Sequence, residues 1–100
     1  MFHFDRIGTV KNAADVPAAL AFAAKVTSYL NKKYSFNVKF GFEMFGPAIV
    51  HWYRDLESLD TMAKDNAKLL QDRDYIEIVR KGMGLFVDGT LKDTIVNLVA

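Results

Sequence analysis

Apolar residues Phe36, Val38, Phe40, Phe42 and Met44 recur with period two, which sets them on one face of a strand. Gly46-Pro47 then turns the chain and Ile49 to Arg54 returns, so the segment predicts an antiparallel hairpin. With Gly46-Pro47 as a two-residue loop, Phe42 faces His51 and Phe40 faces Tyr53. Gly41 and Glu43 then share the other face with Trp52 and Val50. Large side chains are expected on both faces of this layer.

Upstream, Phe2 to Val10 reads as a strand with His3, Asp5, Ile7 and Thr9 on one side and Phe2, Phe4, Arg6 and Gly8 on the other. Asp15 is the expected N-cap of a long helix with Pro17 in its first turn. Val16, Leu20, Ala23, Thr27 and Leu30 form its apolar stripe, Ala19, Phe22, Val26 and Tyr29 lie beside it, and Ala18, Ala21, Lys25, Ser28 and Lys32 look outward. After the hairpin, Asp55 or Ser58 caps a second helix with Leu56, Leu59, Met62, Ala63, Asn66, Leu69 and Leu70 on one face. Asp72 to Asp74 interrupts it, and 75–81 is a short separate helix ending near Gly82 and Gly84. Thr94 to Val99 is the closing strand, with an Asp88-Gly89 hairpin over 84–96 as the competing arrangement.

The order β-α-β-β-α-(α)-β is the ferredoxin-like split βαβ plan, an α+β fold with a four-stranded antiparallel sheet. Strands one and three are expected at the centre and parallel, two and four at the edges. One domain spans residues 1–100. A sheet apolar on both sides needs two covers, and this chain has helices for one, so a homodimer is expected. The composition agrees: 51% of the residues are apolar, with eight Phe, four Tyr and one Trp.

Charge changes the picture by exclusion. Thirteen basic and twelve acidic residues are scattered along the chain for a net charge of +1, which argues against a nucleic-acid partner. The absence of cysteine removes thiol nucleophiles and cysteine-ligated zinc. Asp5 and Arg6 come too early for a signal peptide, and no apolar run is long enough for a bilayer, so a cytoplasmic protein without membrane contact is expected. Ser28, Ser35 and Ser58 have no histidine placed to activate them, and Gly82-Met83-Gly84 lacks the context of a phosphate loop.

The aromatic-rich sheet with few polar interruptions suggests a pocket for an apolar or aromatic small molecule. Trp52, Phe40 and Phe42 are its candidate walls, with Arg6 and Glu43 as polar contacts. His51, whose pKa lies naturally near neutrality, and Tyr53 are the candidate proton-handling residues. In the hairpin register above, His51 and Tyr53 share one face while Glu43 and Trp52 share the other, so one pocket takes all four only if a bulge shifts the register. Trp52 also fits plain core packing, and His51 a half-buried histidine satisfied by a neighbour. His3 and His51 with Asp5 or Glu43 match no metal-site spacing, and no metal or cofactor is assigned.

The stretch Phe45-Gly46-Pro47, His51-Trp52, Asp55-Leu56-Glu57-Ser58-Leu59, Asp72-x-Asp74-Tyr75 and Phe86-Val87-x-Gly89 resembles the dimeric α/β-barrel superfamily, nearest to its NIPSNAP-like and antibiotic-biosynthesis-monooxygenase-like proteins. The resemblance implies two four-stranded sheets closing face to face. It also implies an activity such as cofactor-independent oxygenation, with Trp52 at the position of a cavity-lining tryptophan. A non-catalytic interaction or ligand-sensing module is the alternative. Haem-degrading members take an iron ligand from the second helix, and residues 56–81 contain no histidine.

Overall fold

The computed structural model describes residues 1–99. Four strands, β1 (Phe2–Thr9), β2 (Lys39–Phe42), β3 (Ile49–Leu56) and β4 (Lys92–Asn97), form a sheet in the order β2-β3-β1-β4. Three helices, α1 (Val16–Tyr34), α2 (Leu59–Leu70) and α3 (Arg73–Gly82), accompany it. β1 and β3 are central, as the sequence plan requires, but antiparallel rather than parallel. The α1 crossover lays β2 parallel to β1, and the hairpin then reverses β3 against both. The alternative hairpin over 84–96 does not form: β4 pairs with β1, and Phe86 makes a single bridge to Val10.

The core lies on one face of the sheet. Val50, Trp52 and Leu56 of β3, with Val10 and Val38, are buried together with Ala19, Ala23, Val26 and Leu30 of α1. Ala19 and Ala23 have no exposed surface, and such small residues let α1 approach closely. Gly8 serves the same purpose on β1, where an added Cβ would lie 3.0 Å from the ring of Phe86. Leu59 and Leu70 of α2 stay largely exposed. No helix among the described residues is long and apolar enough to cross a membrane.

Local hydrogen bonding explains two departures from the sequence reading and decides between the two caps it offered for α2. β2 starts at Lys39 and not at Phe36, because Ser35 leaves α1 in the left-handed region (φ 57°) and the Asn31 amide clamps both polar groups of the Val38 backbone, at 2.9 and 2.7 Å. Asp15 precedes α1 but accepts from the Asn12 amide instead of capping the helix. Ser58, not Asp55, caps α2 by accepting from Thr61 N–H. Asp72 caps α3, accepting from Tyr75 N–H at 3.0 Å, and its buried carboxylate also accepts from the Tyr29 and Tyr34 hydroxyls and from Lys33. Burial opposes that charge, yet these donors hold the Asp72 carboxyl well below the usual carboxylate range.

The hairpin register differs by one residue from the two-residue-loop expectation. Phe40 pairs with Trp52, Gly41 with His51 and Phe42 with Val50. The Glu43 N–H donates to Ile49 at 2.9 Å, which extends the pairing and leaves Met44 to Ala48 as an odd-length connection. Ala48 is drawn into the sheet by accepting from Val10 N–H, at 2.7 Å, and Gly46 takes φ 86°. A one-residue slip exchanges every side chain between faces. Phe40 and Phe42 therefore join Trp52 on the helix side, and Glu43 joins His51 on the open side.

Candidate functional site

Between the sheet and the helices lies a cavity of about 110 Å³. Alternation along β1 and β3 sends Phe4, Arg6, Trp52 and Arg54 toward it, and Phe22, Phe36, Met62, Tyr75, Val79 and Met83 close the remaining sides. Trp52, 8% exposed, meets the ring of Phe22 edge-on at 6.1 Å and that of Phe86 at 5.9 Å. Its indole N–H is buried and finds no acceptor among the described residues.

Two ion pairs supply the polarity. Arg6 donates through Nε and Nη2 to the two carboxylate oxygens of Asp93, at 2.6 and 2.8 Å, and this bidentate bond keeps the guanidinium charged against its burial. Arg54 is paired with Asp65 and lies over the Phe36 ring, 4.4 Å from its centroid. Burial pushes the Tyr75 phenol above its ordinary pKa, against the pull of Arg6, so it stays a hydrogen-bond donor at neutral pH. The cavity thus offers aromatic walls and neutralised charges.

The open face of the sheet holds the other sequence candidates. His51 Nδ1 lies 2.9 Å from Asp5 and Nε2 lies 2.7 Å from Glu43. A neutral imidazole would turn one lone pair toward a carboxylate, so the doubly donating imidazolium fits this arrangement. Burial works against the charge, but Glu43 and Asp5 outweigh it and raise the His51 pKa. The two carboxylates sit at opposite ends of one ring and do not converge on a common point. Among the described residues, no group of three such ligands could hold a metal ion. Next along the face, the Tyr53 ring lies 5.9 Å from that of His3, which is bonded to Asp55 at 2.8 Å.

The candidates therefore separate. Trp52 and Arg6 line the cavity, and Tyr53 borders it as well while its ring turns to the other face beside His3. Phe40 and Phe42 are on the same side of β2, but neither reaches it. His51, Glu43 and the Tyr53 ring occupy the opposite face, because the register slip moved Glu43 and alternation keeps His51 and Tyr53 away from Trp52. Phe4 and Arg54, which the sequence reading missed, follow from the same period-two rule as neighbours of Arg6 and Trp52. Asp65 and Asp93 carried no local signal, and Tyr75, although part of the Asp72-x-Asp74-Tyr75 pattern, is placed at the cavity only by the tertiary structure.

No family model matches the chain, and no curated protein matches it in sequence. Solved structures do. A NIPSNAP family protein of unknown function from Agrobacterium tumefaciens superposes with a TM-score of 0.81 at 22% identity, over 96% of this chain and 86% of that one. An uncharacterised NIPSNAP domain protein from Burkholderia xenovorans gives 0.78 at 12% identity, covering 100% and 96%. A candidate antibiotic biosynthesis monooxygenase from Deinococcus radiodurans gives 0.71 at 11% identity, covering 100% and 94%. The ferredoxin-like α+β fold of this chain is the one shared by the NIPSNAP and antibiotic-biosynthesis-monooxygenase proteins, the superfamily that its residue pattern resembles.

Proposed function

We propose that the protein binds a small aromatic molecule carrying a hydroxyl group, held between the sheet and the helices against Trp52. The observation that carries this reading is the buried Trp52 N–H, without an acceptor among the described residues, in a residue that lines an apolar cavity. An unpaired buried donor costs roughly 1–3 kcal/mol, and a ligand oxygen would relieve it. With Arg6 and Arg54 each neutralised by an aspartate, the site favours an uncharged ligand over an anion. Native mass spectrometry with a panel of phenols and quinols tests this: retention of a phenol supports it, and retention of none removes it.

Oxygenation of that ring without a cofactor is the finer reading. A phenol and dioxygen would give a quinone and water, the hydroxyl hydrogen and one ring hydrogen leaving in the water. Of the carboxylates near the cavity, we nominate Asp93, next to Arg6, to receive the hydroxyl proton. Oxygen uptake with the retained phenol is the expected result, and binding without uptake leaves a non-catalytic binding protein.

We further infer that a second copy covers the open face. Ile7, Ile49, Tyr53 and Val96 lie there among both signs of charge, and Val96 and Leu98 are nearly half exposed. An obligate interface of this kind buries more than roughly 2,000 Å². Light scattering should report twice the 11.3 kDa chain mass, and a persistent single-chain particle would contradict the pairing.

A further inference from the structure

α3 ends on a glycine that its backbone does not require. Gly82 has φ −99° and ψ −16°, values open to any residue, and glycine weakens a helix relative to alanine. Its use lies in what packs against it. A Cβ at this position would stand 2.1 Å from Cδ1, 2.2 Å from Cε1 and 2.6 Å from Cγ of Phe22, so the ring occupies space that any other side chain would claim. Gly84, close by, has nothing within 4 Å and is under no such constraint.

Phe22 is also a wall of the cavity, beside Val79 and Met83. Two of its other sides are taken by Trp52, at 6.1 Å, and Phe86, at 5.9 Å, both buried. Phe22 is half-buried, and a ring pushed off Gly82 has the cavity beside it as the void inside the protein that can take it. A well-packed interior gives way toward its voids before it compresses.

We propose that Gly82 sets the depth of the pocket by letting the Phe22 ring rest against α3, which leaves room for one aromatic ring, while Phe22 itself shuts out a second. This inference rests on the binding reading above. At about 110 Å³ the cavity is smaller than an engineered apolar cavity of about 150 Å³ that accepts benzene, so one ring is the most that it can take. A second fused ring has no room while Phe22 stands where it does. A side chain at position 82 would turn Phe22 inward and take away room for the first.

Trp52 is the only tryptophan and lines the cavity, so its emission reports occupancy by a brominated, quenching ligand. The probes are 4-bromophenol and 6-bromo-2-naphthol. The wild type should show saturable quenching by the one-ring compound. Gly82→Ala should bind it at least about tenfold more weakly, and Gly82→Ala/Phe22→Leu should recover to within about threefold. Phe22→Leu alone should bind the two-ring compound about tenfold more tightly than the wild type does. A folded Gly82→Ala protein with wild-type affinity overturns the role of Gly82 and leaves the pocket reading standing. Should Gly82→Ala not fold, Phe22→Leu decides, and an unchanged preference for one ring overturns the inference. Absence of saturable quenching by either compound in the wild type defeats the binding reading and this inference together.

Discussion

The two faces of β3 carry different chemistry on alternate residues. Val50, Trp52, Arg54 and Leu56 point under the helices, where three of them are buried and the arginine is paired with Asp65. Ile49, His51, Tyr53 and Asp55 point the other way, where His51 is held between Asp5 and Glu43 and Asp55 is bonded to His3. The helix side is aromatic with its charges cancelled, so it suits an uncharged ring. The open side holds a histidine whose pKa Glu43 and Asp5 raise, so it responds to pH. A site that combined Trp52 with His51 would require a strand to send neighbouring side chains the same way.

The helix side depends most on Trp52. Replacing it with alanine should cost about 3–5 kcal/mol, the usual range for a buried aromatic, measured by urea unfolding followed by far-ultraviolet circular dichroism. Retained phenol binding in that variant would place the ligand elsewhere. Next is the Arg54–Asp65 pair, whose side chains are 9% and 13% exposed. Asp65→Ala leaves a buried guanidinium uncompensated and should cost roughly 3 kcal/mol in the same assay.

The smallest effect belongs to the open face. His51→Gln should lower stability by about 1 kcal/mol or less, since the cluster is partly solvated. The pH dependence has a definite sign. Because the folded-state pKa of His51 is raised, its contribution is complete below the unfolded value of about 6.5 and disappears as pH rises through the folded value. Urea midpoints of wild type and variant should thus differ more at about pH 5.5 than at about pH 9. A gap that widens toward alkaline pH would mean that His51 is buried as the neutral imidazole.

Much of this was legible in the sequence. The two faces of β1, the outward residues of α1 and the order of elements follow from periods of two and 3.6, which local chemistry dictates. That Trp52 and Arg6 share one side of the sheet was not legible in this way, since it rests on the pairing of β1 with β3. The hairpin register was not either, because it depends on Glu43 pairing with Ile49 and on Ala48 being held by Val10 from a segment distant in sequence, and an odd-length connection inverts the faces. That single slip explains why Phe40 and Phe42 appeared opposite His51 and Tyr53, and why Glu43 was grouped with Trp52. The pairing of Arg54 with Asp65 and the fit of Phe22 onto Gly82 arise from approach of separate elements, which leaves no trace in local pattern.

The most direct test of the division between the faces is the affinity of 4-bromophenol for wild type and His51→Gln, read from Trp52 emission. Equal affinities, within about threefold, are expected, since distant and unshared sites act independently. A loss of about tenfold or more in His51→Gln would contradict the account and return the histidine to the ligand site.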